Sequence, residues 1–446
     1  MVIYSILSFE MGEGVFGVIL SIGELIKTYR QSADMTLAQL SELSGIHKGT
    51  ISKIENNDVK RPEYMTVRPL VEKLNIPLDE YVKLHIEVDK RADTLMFILK
   101  DLIHSKVEED LIYKVANKFL ESPSDDSLSL LERLYVFSSS LEDDETKIIL
   151  YRVIINYSRD HSIMQYLAKG LYQTYLIERN DFSRLRAVYD SGKHLVQYTK
   201  FLSSEERNTL HYKLGIHAFN LFLYEQSIDF CLKVLQEAHE EDMNYINALG
   251  VLRDSYFYRE DYVKSEEYSL RYKQYDYPHI KVNGILMEAL INGKKGKTDL
   301  AVTQLKSFLE TANQDASLPA INQLIHIYLK ENELHEIKLL LEKQKINPSN
   351  ISNNNPYIIY ELAEYYYHKG EYYIVIGEFQ KGLSDLLEAA WQFSRINATD
   401  HEKKCINMVV RSHLSRSAVM TIPTLEKLKS YYERSTNKEG KLEGIV

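Results

Sequence analysis

Between residues 48 and 53 the sequence sets the ammonium groups of Lys48 and Lys53 beside the hydroxyls of Thr50 and Ser52 and a glycine, Gly49. Such a set can donate hydrogen bonds to base edges and phosphates, and a glycine puts no side chain between backbone and DNA. Lys60 and Arg61 extend the local positive charge. The chemistry is recognition rather than bond making. It requires these residues to share the outward face of a rigid element.

The stretch from Thr36 to Arg61, TLAQLSELSGIHKGTISKIENNDVKR, supplies that element. Leu37, Leu40 and Leu43 recur every three residues and predict a short helix with one apolar face. Gly45 breaks it, and a second helix begins near His47 with Ile51 and Ile54 turned inward. Two short helices joined by a glycine turn make a helix-turn-helix, whose second helix lies in the major groove. Lys48, Gly49, Thr50, Ser52 and Lys53 then point outward. An ordinary helical hairpin in a larger core is the alternative, and the flanks favour the first reading. Ile22, Leu25, Ile26 and Tyr29 mark one face of a preceding helix. Met65 to Leu74 and Leu78 to Leu84 give two more amphipathic helices, with Pro62, Pro69 and Pro77 near their starts.

The domain from Ser21 to about His85, carrying IGELIKTYR, the Thr36 helix start, SGIHKGTISKIEN and KRP, resembles the phage-repressor class of the xenobiotic-response-element regulators. The resemblance implies a structural ion pair between Arg30 and Glu55, base-reading positions at Lys48, Gly49, Thr50 and Lys53, and phosphate contacts at Lys60 and Arg61. Two residues depart from the pattern: Leu37, where a glutamine often follows the threonine, and Glu63 after Pro62. Each removes a DNA backbone contact, which implies modest affinity per domain and a benefit from dimerisation.

The chain of 446 residues has a formal net charge of −10. DNA contact must therefore come from the local patch of Lys48, Lys53, Lys60 and Arg61 rather than from a basic body. The length suggests two or three domains. Cys231 and Cys405 are the two cysteines, which excludes a disulfide framework or a cysteine-rich zinc module and fits a reducing cytoplasm. Residues 1–20 lack a basic start, contain Glu10 and Glu13, and fall short of the ~20 apolar residues a membrane span needs. They read as a flexible extension, with Met11 as an alternative start.

Enzyme signatures are absent. No GxxxxGK[ST], HExxH or GxSxG pattern occurs, so neither a catalytic residue nor a cofactor is expected. His401 and Cys405 lie four apart, and two ligands do not make a zinc site. His211 and His217 read as packing or surface residues. The 33 tyrosines, with the run Tyr365-Tyr366-Tyr367, read as packing.

From Glu87 the pattern becomes almost continuously helical and punctuated. The clearest unit is Leu214-Gly215, then Tyr224, Ser227, Cys231 and Val234. Related turns recur at Asn180-Asp181-Phe182, Glu260-Asp261-Tyr262, Gly296-Lys297-Thr298, Asn332-Glu333-Leu334 and Gly377-Glu378-Phe379, each with a small or apolar residue three places later. These features predict degenerate tetratricopeptide repeats over residues 128–434. Residues 87–127 form a helical connector or divergent first repeat, His401 to Leu414 and Thr424 to Tyr432 are closing helices, and 435–446 is a flexible tail. The fold class expected is all-α, a phage-repressor-like helix-turn-helix over 21–86 followed by a repeat superhelix. An irregular helical body without repeats is the alternative.

Stacked repeats curve around a concave groove suited to an extended peptide, and asparagine can both donate to and accept from a peptide backbone. The repeat register puts Asn247, Asp254, Asn283, Asn322 and His326 on that face, with Asn220 one step away. Each could equally be a solvated surface group. A repressor-type domain before degenerate repeats, with SGIHKGTISKIENNDVKRP and YLIERNDFS, resembles the peptide-sensing quorum regulators of Gram-positive bacteria, the group of the Rap, NprR, PlcR and PrgX proteins, and among them most the neutral protease regulators of bacilli. The resemblance implies an operator DNA partner, a re-imported signalling oligopeptide that switches DNA binding, and a homodimer or higher homo-oligomer. It also implies a second possible partner, a sporulation phosphorelay response regulator. A scaffold that inhibits such a regulator without DNA is the competing reading.

Overall fold

The computed structural model describes residues 21–414 and 422–439, and among them every regular element is a helix. The extension expected over 1–20 lies outside the described residues, as does the tail after 439. The chain divides into two compact units, residues 1–174 and 175–446.

The first unit opens with α1 (Ile22–Ser32) and α2 (Leu37–Ser44). Each is started by a capping box: the Ser21 and Thr36 hydroxyls accept from the backbone of Glu24 and Gln39, whose side chains accept in return. Gly45, at φ +73°, closes α2 in the left-handed conformation that suits glycine. The next helices are α3 (Lys48–Glu55), α4 (Tyr64–Lys73) and α5 (Leu78–Val88). Their common core holds Leu25, Ile26, Leu40, Ile51, Ile54, Val67, Leu70 and Ile86.

Two details differ from the sequence reading. Leu43 is 52% exposed, because steps of three residues lag the 3.6-residue helical turn and carry a third leucine away from the core. Pro69 sits inside α4 rather than near its start, where it removes one link of the hydrogen-bond ladder. The rest of the unit comprises α6 (Ala92–His104), α7 (Glu109–Leu120), α8 (Ser127–Ser140), α9 (Asp144–Asp160) and most of α10 (Met164–Glu178). Asp101 on α6 accepts from Tyr64 Oη at 2.6 Å and Arg68 Nε at 2.7 Å, tying α4 to α6.

In the second unit α11 (Leu185–Leu195) precedes a series of hairpins. They pair α12 (Ser204–Asn220) with α13 (Tyr224–Glu237), α14 (Met243–Tyr258) with α15 (Tyr262–Tyr272), α16 (Pro278–Lys294) with α17 (Thr298–Leu309), α18 (Gln314–Lys330) with α19 (Leu334–Lys343), and α20 (Pro356–Val375) with α21 (Phe379–Arg395). Then come α22 (Thr399–Leu414) and α23 (Ile422–Glu439), the latter continuing as helix past Ser435.

Each hairpin turn has a left-handed residue two places before its second helix: Phe222, Glu260, Gly296, Asn332 and Gly377. The fourth residue of that second helix, Ser227, Ser265, Ala301, Ile337 or Gly382, is buried against the first. Where it is serine, the hydroxyl donates to a carbonyl across the hairpin, Ser227 to Gly215 at 2.8 Å and Ser265 to Arg253 at 2.9 Å. The punctuation in the sequence is thus the trace of a repeated backbone turn and a close helix crossing.

The unit also winds back on itself. Asn397 Nδ2 donates to the Phe182 carbonyl at 3.3 Å, and the Tyr258 hydroxyl donates to Glu361 at 2.9 Å. The Phe222 ring lies 5.2 Å from Tyr360 and 4.9 Å from His401. Leu185 shares a core with Leu383, Phe393 and Ile396. These contacts bring α11–α14 against α20–α22.

Candidate nucleic-acid interface and inner cavity

On α3 the residues Ile51, Ile54 and Glu55 are buried, so the opposite face is free. That face carries Lys48, Gly49 and Lys53, all exposed, with Thr50 and Ser52 half-buried. Lys60 and Arg61 are exposed in the loop leading to α4. His47, which sequence reasoning used only as a boundary, caps α3: its Nδ1 accepts from the Gly49 amide at 3.1 Å, which requires the tautomer protonated on Nε2. The Thr50 amide donates to the His47 carbonyl at 2.8 Å, so the positive charge at this end of α3 comes from the helix dipole and Lys48.

The orientation of α3 is set from behind. Arg30 Nε and Nη2 donate to the two Glu55 oxygens at 2.6 and 2.7 Å, and Arg30 Nη1 donates to the Met35 carbonyl at 2.7 Å. Glu55 is 6% exposed. A buried carboxylate held by a two-pronged guanidinium is restricted in orientation, and the pair ties the end of α3 to α1.

In the second unit the six expected groove residues are not gathered in one place. Asn322 is buried on α18 and His326 is exposed one turn later. Asp254, half-buried on α14, accepts from Arg253 Nε at 2.7 Å, and Arg253 Nη1 reaches the carbonyl of the exposed Asn283 at 3.4 Å. Asn247 is half-buried two turns earlier on α14, and Asn220 is half-buried near Phe222, Tyr224 and Tyr258.

Asn322 and His326 line a cavity of about 380 Å³ together with Tyr258, Tyr360, Glu361, Glu364, Tyr367, His368, Glu371 and Lys404. Its charged residues on α20 were missed in the sequence. Their signal was the spacing of Glu361, Glu364, His368 and Glu371, which repeats every three to four residues and puts them on one helix face. Burial is the main cause that pushes the Glu361 carboxyl up, to about 7, with Glu364 adding to it and the Asn322 and Tyr258 hydrogen bonds opposing. His368 moves the other way from what burial alone would give. Its bonds to Glu364 and Glu371 outweigh desolvation and raise it to about 9, leaving it cationic near neutrality. Among the described residues no group of three or more His, Cys, Asp or Glu is placed to hold a metal ion. His401 packs against Phe222, Tyr360 and Phe393.

A family model described as helix-turn-helix matches residues 26–81. The match takes in α2 to α4 with most of α1 and the start of α5, so residues 26–81 form a helix-turn-helix domain in sequence as well as in geometry. A comparison with curated proteins found no match. Among solved structures the chain is similar to Bacillus thuringiensis PlcR in complex with the peptide PapR7 and DNA, at 14% identity over 87% of this chain and 99% of that chain, with a TM-score of 0.25. No helix among the described residues is long and apolar enough to cross a membrane.

Proposed function

We propose that this chain is a transcriptional regulator that reads operator DNA through α3 and is switched by a short oligopeptide taken by its second unit. One observation carries the first half: a domain matched by the helix-turn-helix family exposes Lys48, Gly49 and Lys53, with Thr50 and Ser52 half-buried beside them, on the helix that such domains insert in the major groove. Lys60 and Arg61, exposed in the loop that follows, would hold phosphates and set register. Arg30 and Glu55 serve as the strut behind the reading helix. The protein would act as a homodimer, because one short helix offers few base contacts and a second copy supplies another half-site.

Support for the second half is that Asn322 and His326 border a cavity of peptide-side-chain size, and that Asn220, Asn247, Asp254 and Asn283, like them, lie on the first helices of their hairpins. A ligand there acts on DNA binding only through a difference in its affinity for two arrangements of the protein.

Selection of duplexes from a random pool by the full-length protein tests the DNA half. Enrichment of a paired half-site, abolished by Lys48→Ala with Lys53→Ala, is the expected result, and a pool that stays random would refute it. Mass spectrometry of material co-purifying with the protein tests the peptide half. An oligopeptide that changes operator affinity or oligomeric state on re-addition is expected.

A further inference from the structure

Glu361 is 4% exposed, and its carboxylate takes hydrogen bonds from the Tyr258 hydroxyl at 2.9 Å and Asn322 Nδ2 at 2.8 Å. Both donors are neutral. The neighbouring acids are differently placed. Glu364 and Glu371 share the imidazolium of His368, at 3.4 and 3.0 Å, so their charge has a local partner. Lys404, on the rim, lies over the Tyr367 ring at 4.3 Å. Among the described residues no cation is within ion-pair distance of Glu361, although buried carboxylates are ordinarily paired.

A second acceptor beside it is also unanswered. Asn322, 7% exposed, uses its amide nitrogen on the Glu361 carboxylate and carbonyl, and its Oδ1 is buried with no hydrogen-bond partner. The cavity therefore holds two buried acceptor groups with no cation beside them among the described residues, while the exposed Lys294 and Lys404 also line it. Its walls include Phe257, Tyr258, Tyr360 and Tyr367, rings over which an alkyl stem or a flat guanidinium can lie.

We propose that this cavity is the subsite for one basic side chain, lysine or arginine, of the oligopeptide bound by the second unit. This assignment rests on the peptide-binding reading above and names what that reading leaves open, the chemistry of one ligand position. An apolar side chain would leave the carboxylate and the Asn322 oxygen unanswered, and an acidic one could meet the exposed Lys294 or Lys404 but not these two buried acceptors. A cation supplies the missing charge and the missing donors in one group, through the N–H fork of arginine or the three donors of lysine.

The test is affinity selection of a random heptapeptide pool on the full-length protein, with the bound peptides sequenced by mass spectrometry. Enrichment of Lys or Arg at one position is expected. Resynthesis of a selected peptide with citrulline for arginine, or acetyl-lysine for lysine, should weaken binding to the unaltered protein by at least about tenfold, since a buried charge would be left unpaired. Glu361→Gln, which keeps the shape of the side chain, should remove the enrichment while peptides are still retained. A bound pool without basic preference, or neutral analogues that bind as well, would overturn the subsite and leave peptide binding standing. If no peptide is retained, the peptide reading falls and the subsite falls with it.

Discussion

The Arg30 guanidinium grips the Glu55 carboxylate through two parallel hydrogen bonds of 2.6 and 2.7 Å, joining the last turn of α1 to the last turn of α3. Both side chains are largely removed from water, at 12% and 4% exposure. Arg30→Ala would strand a buried charge, and a loss of about 3 kcal/mol in the stability of the first unit is expected. Arg30→Lys should cost an intermediate amount, because a single ammonium cannot reproduce the fork. Urea unfolding of the three proteins measures both values.

Positioning and reading residues should separate in DNA binding. Lys60→Ala with Arg61→Ala is expected to weaken every duplex alike and to lower the slope of log affinity against log salt by about 2, roughly 0.9 for each phosphate that is no longer neutralised. Lys48→Ala or Thr50→Ala should instead change which duplexes are preferred. Fluorescence anisotropy over a salt series, with selected and scrambled operators, distinguishes the two behaviours.

Close helix crossing in the second unit depends on Gly215. A Cβ there would lie 2.6 Å from Cys231 Sγ, and Cys231 is fully buried. Gly215→Ala is expected to destabilise by about 1–3 kcal/mol through overpacking. Adding Cys231→Ala should recover part of that loss, so a double-mutant cycle will show the two changes to be non-additive.

Glu361 and His368 make the cavity proton-sensitive. The Glu361 carboxyl titrates at about 7 in the folded chain against an ordinary 4.5, raised mainly by burial. The folded state therefore binds the proton more tightly than the unfolded state, and this group's contribution to stability declines as pH rises from 4.5 to about 7. Glu361→Gln should gain relative to the unaltered protein across that window, by about 3 kcal/mol at most. His368, raised from 6.5 to about 9 by Glu364 and Glu371 against the opposing effect of burial, contributes stability present below 6.5 and lost as pH passes about 9. The cost of His368→Gln should therefore vanish in alkali. Denaturant titrations at several pH values, taken as differences between proteins, isolate each group.

Much of this architecture is written locally. The Ser21 and Thr36 capping boxes, the left-handed Gly45 and the outward face of α3 follow from neighbours a few residues apart. So do the hairpin turns, since a polar or glycine residue tolerates the left-handed backbone that Glu260, Gly296, Asn332 and Gly377 adopt. Phe222 takes the same conformation at φ +61° although a bulky side chain disfavours it. Its ring is held between Tyr360 and His401, residues that no local pattern connects to it.

Sequence alone determined the helical character of this protein, the helix α3 with its exposed Lys48 and Lys53, and the rhythm of the hairpins, because each depends on spacing within one or two turns of chain. Only the tertiary structure decided that Tyr258 and Asn322 meet Glu361, across 103 and 39 residues of sequence, and that the acids of α20 border a cavity rather than open solvent. The physical reason is that small rotations between successive hairpins accumulate along the stack, and their sum sets which distant faces close on each other and how much water is left between them.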